Sequence, residues 1–256
     1  MLIRGRLSAK GLIAKLYRFW HPHVDRKEFD FYRTEIEQAK GGALELACGS
    51  GRLLLPYLKE GLNVEGVEAS PEMITLLRRK AQKGGVEPGE LYCQKPHELS
   101  LKKTYDLIYC PLGSFQLISD RTHAQTTLEK CFRYLNPGKK LVIALFLPWN
   151  EVSSSVGGWS TVSDRRLSAK DMRQILREEV KHDPVEQVIF VRLREETWLK
   201  REILEVQERC FSVRWYSKGE FFSMLKEAGF SEIQVERKYS SNDVNQEGFM
   251  LFIASK

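Results

Sequence analysis

Residues 43–68 read Ala43-Leu-Glu-Leu-Ala-Cys-Gly-Ser-Gly-Arg-Leu-Leu-Leu-Pro-Tyr-Leu-Lys-Glu-Gly-Leu-Asn-Val-Glu-Gly-Val-Glu68. The run from Gly42 to Ala47 is short and apolar apart from Glu45, the pattern of a buried strand. It passes directly into Cys48-Gly-Ser-Gly51, a turn whose glycines let the main chain approach a ligand closely. Leu53, Leu54, Tyr57 and Leu58 then recur at the spacing of one helix face, and Gly61 is suited to end that helix. Leu62 to Val67 reads as a second strand, with Glu68 at its end, seventeen residues beyond Gly51. A carboxylate there can accept both hydroxyls of a ribose. A glycine-rich turn alone is shared by many nucleotide-binding folds; Glu45 before the turn and Glu68 after it narrow the reading.

The alternation continues outward. Ser70-Pro71-Glu72 starts a helix well, because Ser can cap, Pro suits the first helical position and Glu favours the positive helix end. Glu90 to Cys93 and Tyr105 to Cys110 read as strands three and four. Asp120 to Leu135 reads as a helix ending at Asn136-Pro-Gly138. Lys140 to Leu147 is a fifth, continuously apolar strand, of the kind buried on both faces of a parallel sheet. Strand–helix alternation of this sort predicts a doubly wound α/β sheet. Ahead of it, Leu7 to Trp20 and Arg26 to Lys40 have helical patterns. After Trp149 the character changes: Met172–Lys181, Val188–Glu196 and Arg201–Val213 read as charged strands joined at Asp183-Pro184 and near Trp198-Leu-Lys200. Met172, Ile175, Leu176 and Val180 also fit a helical stripe, so the first of these has two readings. Ser217 to Ala228 is a helix closed by Gly229, and strands follow at Ser231–Arg237 and Gly248–Ala254.

The chain has 256 residues, 42% apolar and 29% charged, the balance of a soluble globular protein that needs no disulfide or metal to build its core. Its five cysteines are odd in number, widely spaced and free of any C-x-x-C, so reduced structural thiols are expected. No apolar run reaches the ~18 residues of a membrane span. Arg4, Arg6 and Lys10 are not followed by the apolar stretch of a secretory signal, and a cytoplasmic protein is expected. The net charge of +6 is spread along the chain, and Lys and Arg alternate with Glu, as in Arg192 to Arg201. That pattern suits a solvated mixed-charge face better than a nucleic-acid groove. A monomer or homodimer is expected, with no membrane partner.

Leu44-Glu-Leu-Ala-Cys-Gly-Ser-Gly-Arg52, followed by Val67-Glu-Ala-Ser-Pro-Glu-Met73, closely resembles the glycine motif and acidic strand end of class I S-adenosylmethionine-dependent methyltransferases. The resemblance extends through Tyr105-Asp-Leu-Ile108 and Leu135-Asn-Pro-Gly-Lys-Lys-Leu-Val-Ile143, and resumes at Leu225-Lys-Glu-Ala-Gly-Phe230. A nicotinamide-binding Rossmann unit would place a third glycine at position 54, where this chain has Leu54. The resemblance implies a Rossmann-like seven-stranded sheet in the order 3-2-1-4-5-7-6, strand seven antiparallel. It implies a single domain over 1–256: a helical lid at 1–41, a cofactor-binding core at 42–150, an antiparallel β insertion over the active site at 151–216, and a last helix and two strands at 217–256.

It also implies S-adenosyl-L-methionine as cofactor. The main chain at Ala47, Gly49 and Gly51 would face the methionine portion, and Glu68 would hold the ribose. Glu45 would orient the turn or reach the cofactor ammonium through water. Met73 would pack on adenine, with plain helix core as the alternative; Ala69 and Cys110 join the cofactor-contacting set. The family usually follows strand three with Gly-Asp. Here the run is Cys93-Gln94-Lys95-Pro96-His97-Glu98-Leu99, where Lys95 replaces the Asp and Pro96 has no N–H to offer. Either Gln94 takes over the adenine contact or adenine is held by packing.

On the acceptor side, Cys110-Pro-Leu-Gly-Ser-Phe-Gln116 lacks the Asp/Asn-Pro-Pro-Tyr/Phe typical of nucleobase amine methylation. Ser114 and Gln116 are candidates for substrate contact, with capping of the next helix as the alternative. The segments Leu16-Tyr-Arg-Phe-Trp20 and Glu28-Phe-Asp-Phe-Tyr32 resemble the lid helices of small-molecule N-methyltransferases, which makes Tyr17 and Tyr32 candidates beside the sulfonium. The insertion resembles that of glycine and sugar-amine N-methyltransferases, so Trp159, Arg214, Trp215 and Tyr216 are candidates for its lining. Metal-free methyl transfer to N or O of a small-molecule acceptor is the expected function. An RNA or protein methyltransferase and a catalytically inactive cofactor-binding protein stay open as alternatives.

Overall fold

A computed structural model describes residues 26–146, 158–167, 171–238 and 249–256. Helix α1 (Arg26–Gln38) buries Glu28, Tyr32 and Ile36, one stripe at i, i+4, i+8. Strand β1 (Ala43–Leu46) is buried throughout, and α2 (Leu54–Lys59) and β2 (Val64–Val67) follow it. Helix α3 (Pro71–Gly84) starts as its sequence predicts: the Ser70 hydroxyl accepts from the Met73 N–H at 3.3 Å, and Gly85 ends it in the left-handed conformation.

Next come β3 (Leu91–Tyr92), a 3₁₀ turn at Pro96–Glu98, β4 (Tyr105–Cys110) and a second 3₁₀ turn at Ser114–Leu117. Asp120 caps α4 (Arg121–Tyr134), accepting from the His123 N–H at 2.8 Å. Strand β5 (Leu135–Phe146) begins earlier than the sequence pattern suggests. Leu135 already pairs with Tyr105, and the ladder shifts register before Leu107 meets Lys140, so Asn136-Pro-Gly138 ends the helix from inside the strand.

Strands β6 (Ser160–Arg166), β7 (Met172–Asp183), β8 (Val188–Leu199) and β9 (Glu202–Arg214) are followed by α5 (Lys218–Glu227), β10 (Ser231–Lys238) and β11 (Phe249–Ser255). Two sheets result, ordered β3-β2-β1-β4-β5-β11-β10 and β6-β7-β8-β9. In the first, β1, β2, β3, β4 and β5 pair in parallel, while β11 runs antiparallel to both β5 and β10. This is the order that the class I resemblance implies. The Leu7–Trp20 helix expectation and Tyr17 lie outside the described residues. Strand β6 is an addition to the sequence reading, and Met172–Asp183 is a strand rather than a helix.

The chain forms two compact units. One holds the seven-stranded sheet; the other comprises Gln116–Ser119 and the described residues between Gly158 and Trp215. In the first unit both sheet faces are covered. Tyr32, Ile36, Ala43, Leu53, Tyr57, Leu107, Tyr109, Val142 and Leu251 form one buried layer. On the other side Phe221 meets Phe115 and Phe252 edge to face, at centroid distances of 5.3 and 4.8 Å. Each such ring, removed from water, stabilises the fold by ~1.5–3 kcal/mol. Among the described residues, no helix is long and apolar enough to cross a membrane.

Candidate active site

The turn after β1 is built from left-handed backbone. Ala47, Gly49 and Gly51 have φ of 55°, 57° and 81°. At Gly51 only glycine fits, because a Cβ there would lie 2.6 Å from Leu55 Cγ and 3.1 Å from Leu77 Cγ. Ala47 adopts the same region with a Cβ, which costs roughly 1–2 kcal/mol. The turn is held by Gly51 N–H donating to the Cys48 carbonyl at 3.0 Å, and by Cys48 N–H donating to that of Val67 at 3.0 Å. Lys80 of α3 donates to the hydroxyl of buried Ser50 at 2.6 Å and to its carbonyl at 3.1 Å.

Glu68 joins the end of β2 to this turn. Its Oε2 accepts from the Gly49 N–H at 3.0 Å and its Oε1 from the Ser70 N–H at 2.8 Å. A carboxylate has about four acceptor positions, so two main-chain bonds orient the group and leave capacity for two hydroxyls. Burial pushes its pKa up, while the backbone N–H bonds pull against that. The remaining acceptor positions suit the hydroxyls of a ribose-bearing cofactor.

Under the turn lies a buried polar layer. Tyr109 Oη donates to Glu45 Oε2 at 2.9 Å, and the Tyr109 ring stacks on Tyr32 with centroids 4.9 Å apart. Burial pushes the Glu45 carboxyl up to about 8, against the lowering effects of the Tyr109 bond and the Arg52 charge. Arg52, directly after Gly51, makes a two-pronged ion pair with Glu28 of α1, Nη1–Oε2 2.6 Å and Nη2–Oε1 2.8 Å. The two side chains are only 9% and 4% exposed, so the pair lies inside the fold. Tyr57 Oη donates to the Phe29 carbonyl at 3.1 Å, a second tie between α1 and the segment after the turn.

Sequence reasoning missed Glu28, Arg52, Lys80 and Tyr109. Glu28 could have been found: it stands on the stripe of Tyr32 and Ile36, where a charge is out of place unless paired. Lys80 and Tyr109 sit in ordinary helical and strand patterns that carry no such signal.

The other expected residues fall as follows. Met73 is buried on α3 beside Ile74 and Leu77, and Ala69 is exposed. Gln94 Oε1 accepts from the Ser100 N–H at 2.8 Å and its Nε2 donates to the Ser100 carbonyl at 3.1 Å. That amide therefore closes the loop around Pro96–Glu98. Cys110 is buried at the end of β4, and burial holds its thiol protonated, well above the ordinary range. Ser114 opens its 3₁₀ turn with its N–H on the Pro111 carbonyl at 3.1 Å. Gln116 is buried and donates to the Arg214 carbonyl at 3.1 Å, while Arg214 Nη1 donates to the Glu186 carbonyl at 2.9 Å. Arg192 lies over the Trp159 ring at 5.0 Å, Trp215 N–H donates to the Gln187 carbonyl at 2.9 Å, and Tyr216 packs on Phe221. His97, in the loop after β3, and His123, in the first turn of α4, stack face to face at 3.8 Å.

Residues 43–138 match the methyltransferase-domain family. Over 242 residues the chain is 21% identical to a protein of Geobacillus sp. (strain WCH70) that bears a provisional methyltransferase name, covering 94% of this chain and 92% of that one. A crystal structure of an S-adenosylmethionine-dependent methyltransferase from Clostridium acetobutylicum superposes with a TM-score of 0.73 at 19% identity, covering 97% of this chain and 99% of the other. The sugar N-methyltransferase KedS8 from Streptoalloteichus superposes with a TM-score of 0.71 at 16% identity, covering 95% and 92%. At these identities the superpositions establish a shared fold.

Proposed function

We infer that this chain, a class I S-adenosylmethionine-dependent methyltransferase by its 43–138 domain and its sheet order, methylates a nitrogen or oxygen of a small molecule. The observation that carries the cofactor reading is the Glu68 carboxylate, fixed by the Gly49 and Ser70 N–H groups at the mouth of a left-handed glycine turn. In this reading Glu68 holds the ribose, and the main chain at Ala47, Gly49 and Gly51 lies along the methionine portion. Met73, Ala69 and Cys110 surround the adenosine. With the Gln94 amide engaged by Ser100, adenine is held by packing rather than by a side-chain amide.

The cofactor supplies an electrophilic methyl on a positive sulfur. What the protein adds is in-line placement of the acceptor atom and exclusion of water. A base is required only for an acceptor that is protonated at working pH. Glu45, held by Tyr109, lies in the layer beneath the turn and suits the role of partner to the cofactor ammonium. Tyr32 acts on that arrangement through Tyr109, as a positioning residue. Tyr17 is proposed as the lid tyrosine. Ser114, Gln116 and Arg214 are proposed for the acceptor side, with the β insertion at 151–216 providing acceptor selectivity. A nitrogen acceptor is favoured by the fold shared with a sugar N-methyltransferase. The setting proposed is the cytoplasm.

The test is turnover of the full chain with S-adenosylmethionine and a panel of small amines, amino sugars and phenols, read as adenosylhomocysteine formed. Product with at least one member supports the reading. Product only with RNA or protein, or none from a cofactor-bound protein, overturns it.

A further inference from the structure

The four-stranded sheet carries on one face a ladder of paired charges. Arg192 reaches Glu179 at 2.9 Å and Glu208 at 3.6 Å, while Arg194 reaches Glu196 at 2.8 Å and Glu208 at 3.0 Å. These residues alternate along β7, β8 and β9 in register, Glu179 opposite Arg192 and Arg194 opposite Glu208. Cross-strand pairs of opposite sign are the expected way to keep a solvated sheet face stable.

At the end of the sheet where β8 turns into β9 the pairing gives out. A cleft of about 370 Å³ opens there, lined by Thr161, Asp164, Arg173, Ile175, Arg177, Trp198 and the turn residues Lys200 and Arg201. Four cations thus face one carboxylate. Asp164 is already bonded to Arg173, and Arg177 shares Glu196 with Arg194 at 3.6 Å. Among the described residues no carboxylate pairs with Lys200 or Arg201. Lys200 also holds a left-handed φ of 54°, a conformation that Gly or Asn would adopt more cheaply in a two-residue hairpin turn.

We propose that this cleft is a binding site for a small phosphorylated molecule of the diphosphate class. Arg173 and Arg177 of β7 and Arg201 of the turn offer guanidinium N–H donors to phosphate oxygens, and Lys200 adds a point charge. Arg173 and Trp198 are directly opposed in the β7–β8 ladder, so the indole stands beside the charged mouth. Its N–H is turned to Glu196 at 3.0 Å, which leaves the ring face for an apolar or planar portion of the ligand. The volume suits a group of that size. The proposal does not depend on the methyl-transfer reading.

The test is calorimetric titration of the full chain with inorganic diphosphate and with a nucleoside diphosphate, at low and at 0.3 M salt. Saturable one-site binding is expected, weakened about tenfold or more in the Lys200→Glu/Arg201→Glu double variant and unchanged in Lys83→Glu, which makes the same kind of charge reversal on exposed α3. Both changes of the double variant lie on an exposed turn, and circular dichroism checks that the sheet is intact. Trp198→Phe is expected to remove the fluorescence change on binding. Equal affinity in the double variant, equal losses in Lys83→Glu, non-saturating binding, or a duplex RNA that binds this face where diphosphate does not would each overturn the proposal.

Discussion

Tyr109 Oη donates to Glu45 Oε2 at 2.9 Å in a place closed to water, Tyr109 being 0% and Glu45 3% exposed. Burial is the larger influence on the carboxyl, and it moves the pKa from 4.5 to about 8. Below about pH 4.5 both native and unfolded chains hold the proton. Between about 4.5 and 8 the unfolded chain gives it up and the native chain keeps it, so unfolding becomes easier as pH rises. Glu45→Gln retains an acceptor for Tyr109 and removes this penalty. The ligand-free variant is expected to exceed the wild type in stability by on the order of 3 kcal/mol near pH 8, the gap closing toward pH 4. Urea unfolding across that range measures it, and a gap independent of pH contradicts the assignment.

A cationic ligand group set beside Glu45 favours the ionised carboxylate and reverses the shift. Binding of S-adenosylmethionine at pH 7 is therefore expected to release most of one proton. Titration calorimetry in buffers of different ionisation enthalpy reads this number directly. Glu45→Gln should bind with no such release; unchanged release in that variant would place the titrating group elsewhere.

The Glu28–Arg52 pair locks α1 to the glycine turn. Removing one member strands a charge in a poorly solvated site, so Glu28→Gln or Arg52→Met should each cost about 3–5 kcal/mol. The double variant should cost clearly less than the two single losses together, because neither charge is then left behind. Additive losses in a double-mutant cycle would show that the pair is not the link.

His97 and His123 lie in parallel contact at 3.8 Å, and the His97 side chain is 18% exposed. Desolvation, and then the neighbouring imidazole, lower the His97 pKa below 6.5. The native state thus prefers neutral His97, and the stability this represents is present above about pH 6.5 and lost as pH falls toward the lowered value. NMR titration is expected to show His97 titrating below the ordinary histidine range, and moving upward in His123→Gln. Identical titration in that variant would mean that the stack has no electrostatic consequence.

The seven-stranded unit was legible because its signals are local. The capping Ser70, the helix start at Asp120, the stop at Gly229 and the apolar run of β5 each mark an element boundary with a known cause. The four-stranded sheet was harder to read. Ile175 and Leu176 are adjacent and both buried, so β7 lacks the alternation that announces a strand and mimics a helical stripe. Ser160–Arg166 is largely exposed and polar, and its ladder to β7 shifts register between Thr161 and Ser163, which hides it further. At the site, the glycines and Glu68 declare themselves through spacing. The partners that orient them lie far along the chain: Glu28 is 24 residues from Arg52, and Tyr109 is 64 from Glu45. Only folding shows such pairs, because helix and strand periodicity contain no term that links one element to another.

The account stands most directly on the carboxylate of Glu68, and the affinity of adenosylhomocysteine for the wild type, Glu68→Gln and Glu68→Ala tests it. Each hydrogen bond to a charged group is worth about 1.5–3 kcal/mol, so losing the ribose contacts should weaken binding by about a hundredfold in Glu68→Ala, with a smaller loss in Glu68→Gln. Circular dichroism and an unchanged unfolding midpoint in Glu68→Gln would separate lost contact from lost fold. Wild-type protein with no affinity for adenosylhomocysteine, or equal affinity in all three proteins, would contradict the account.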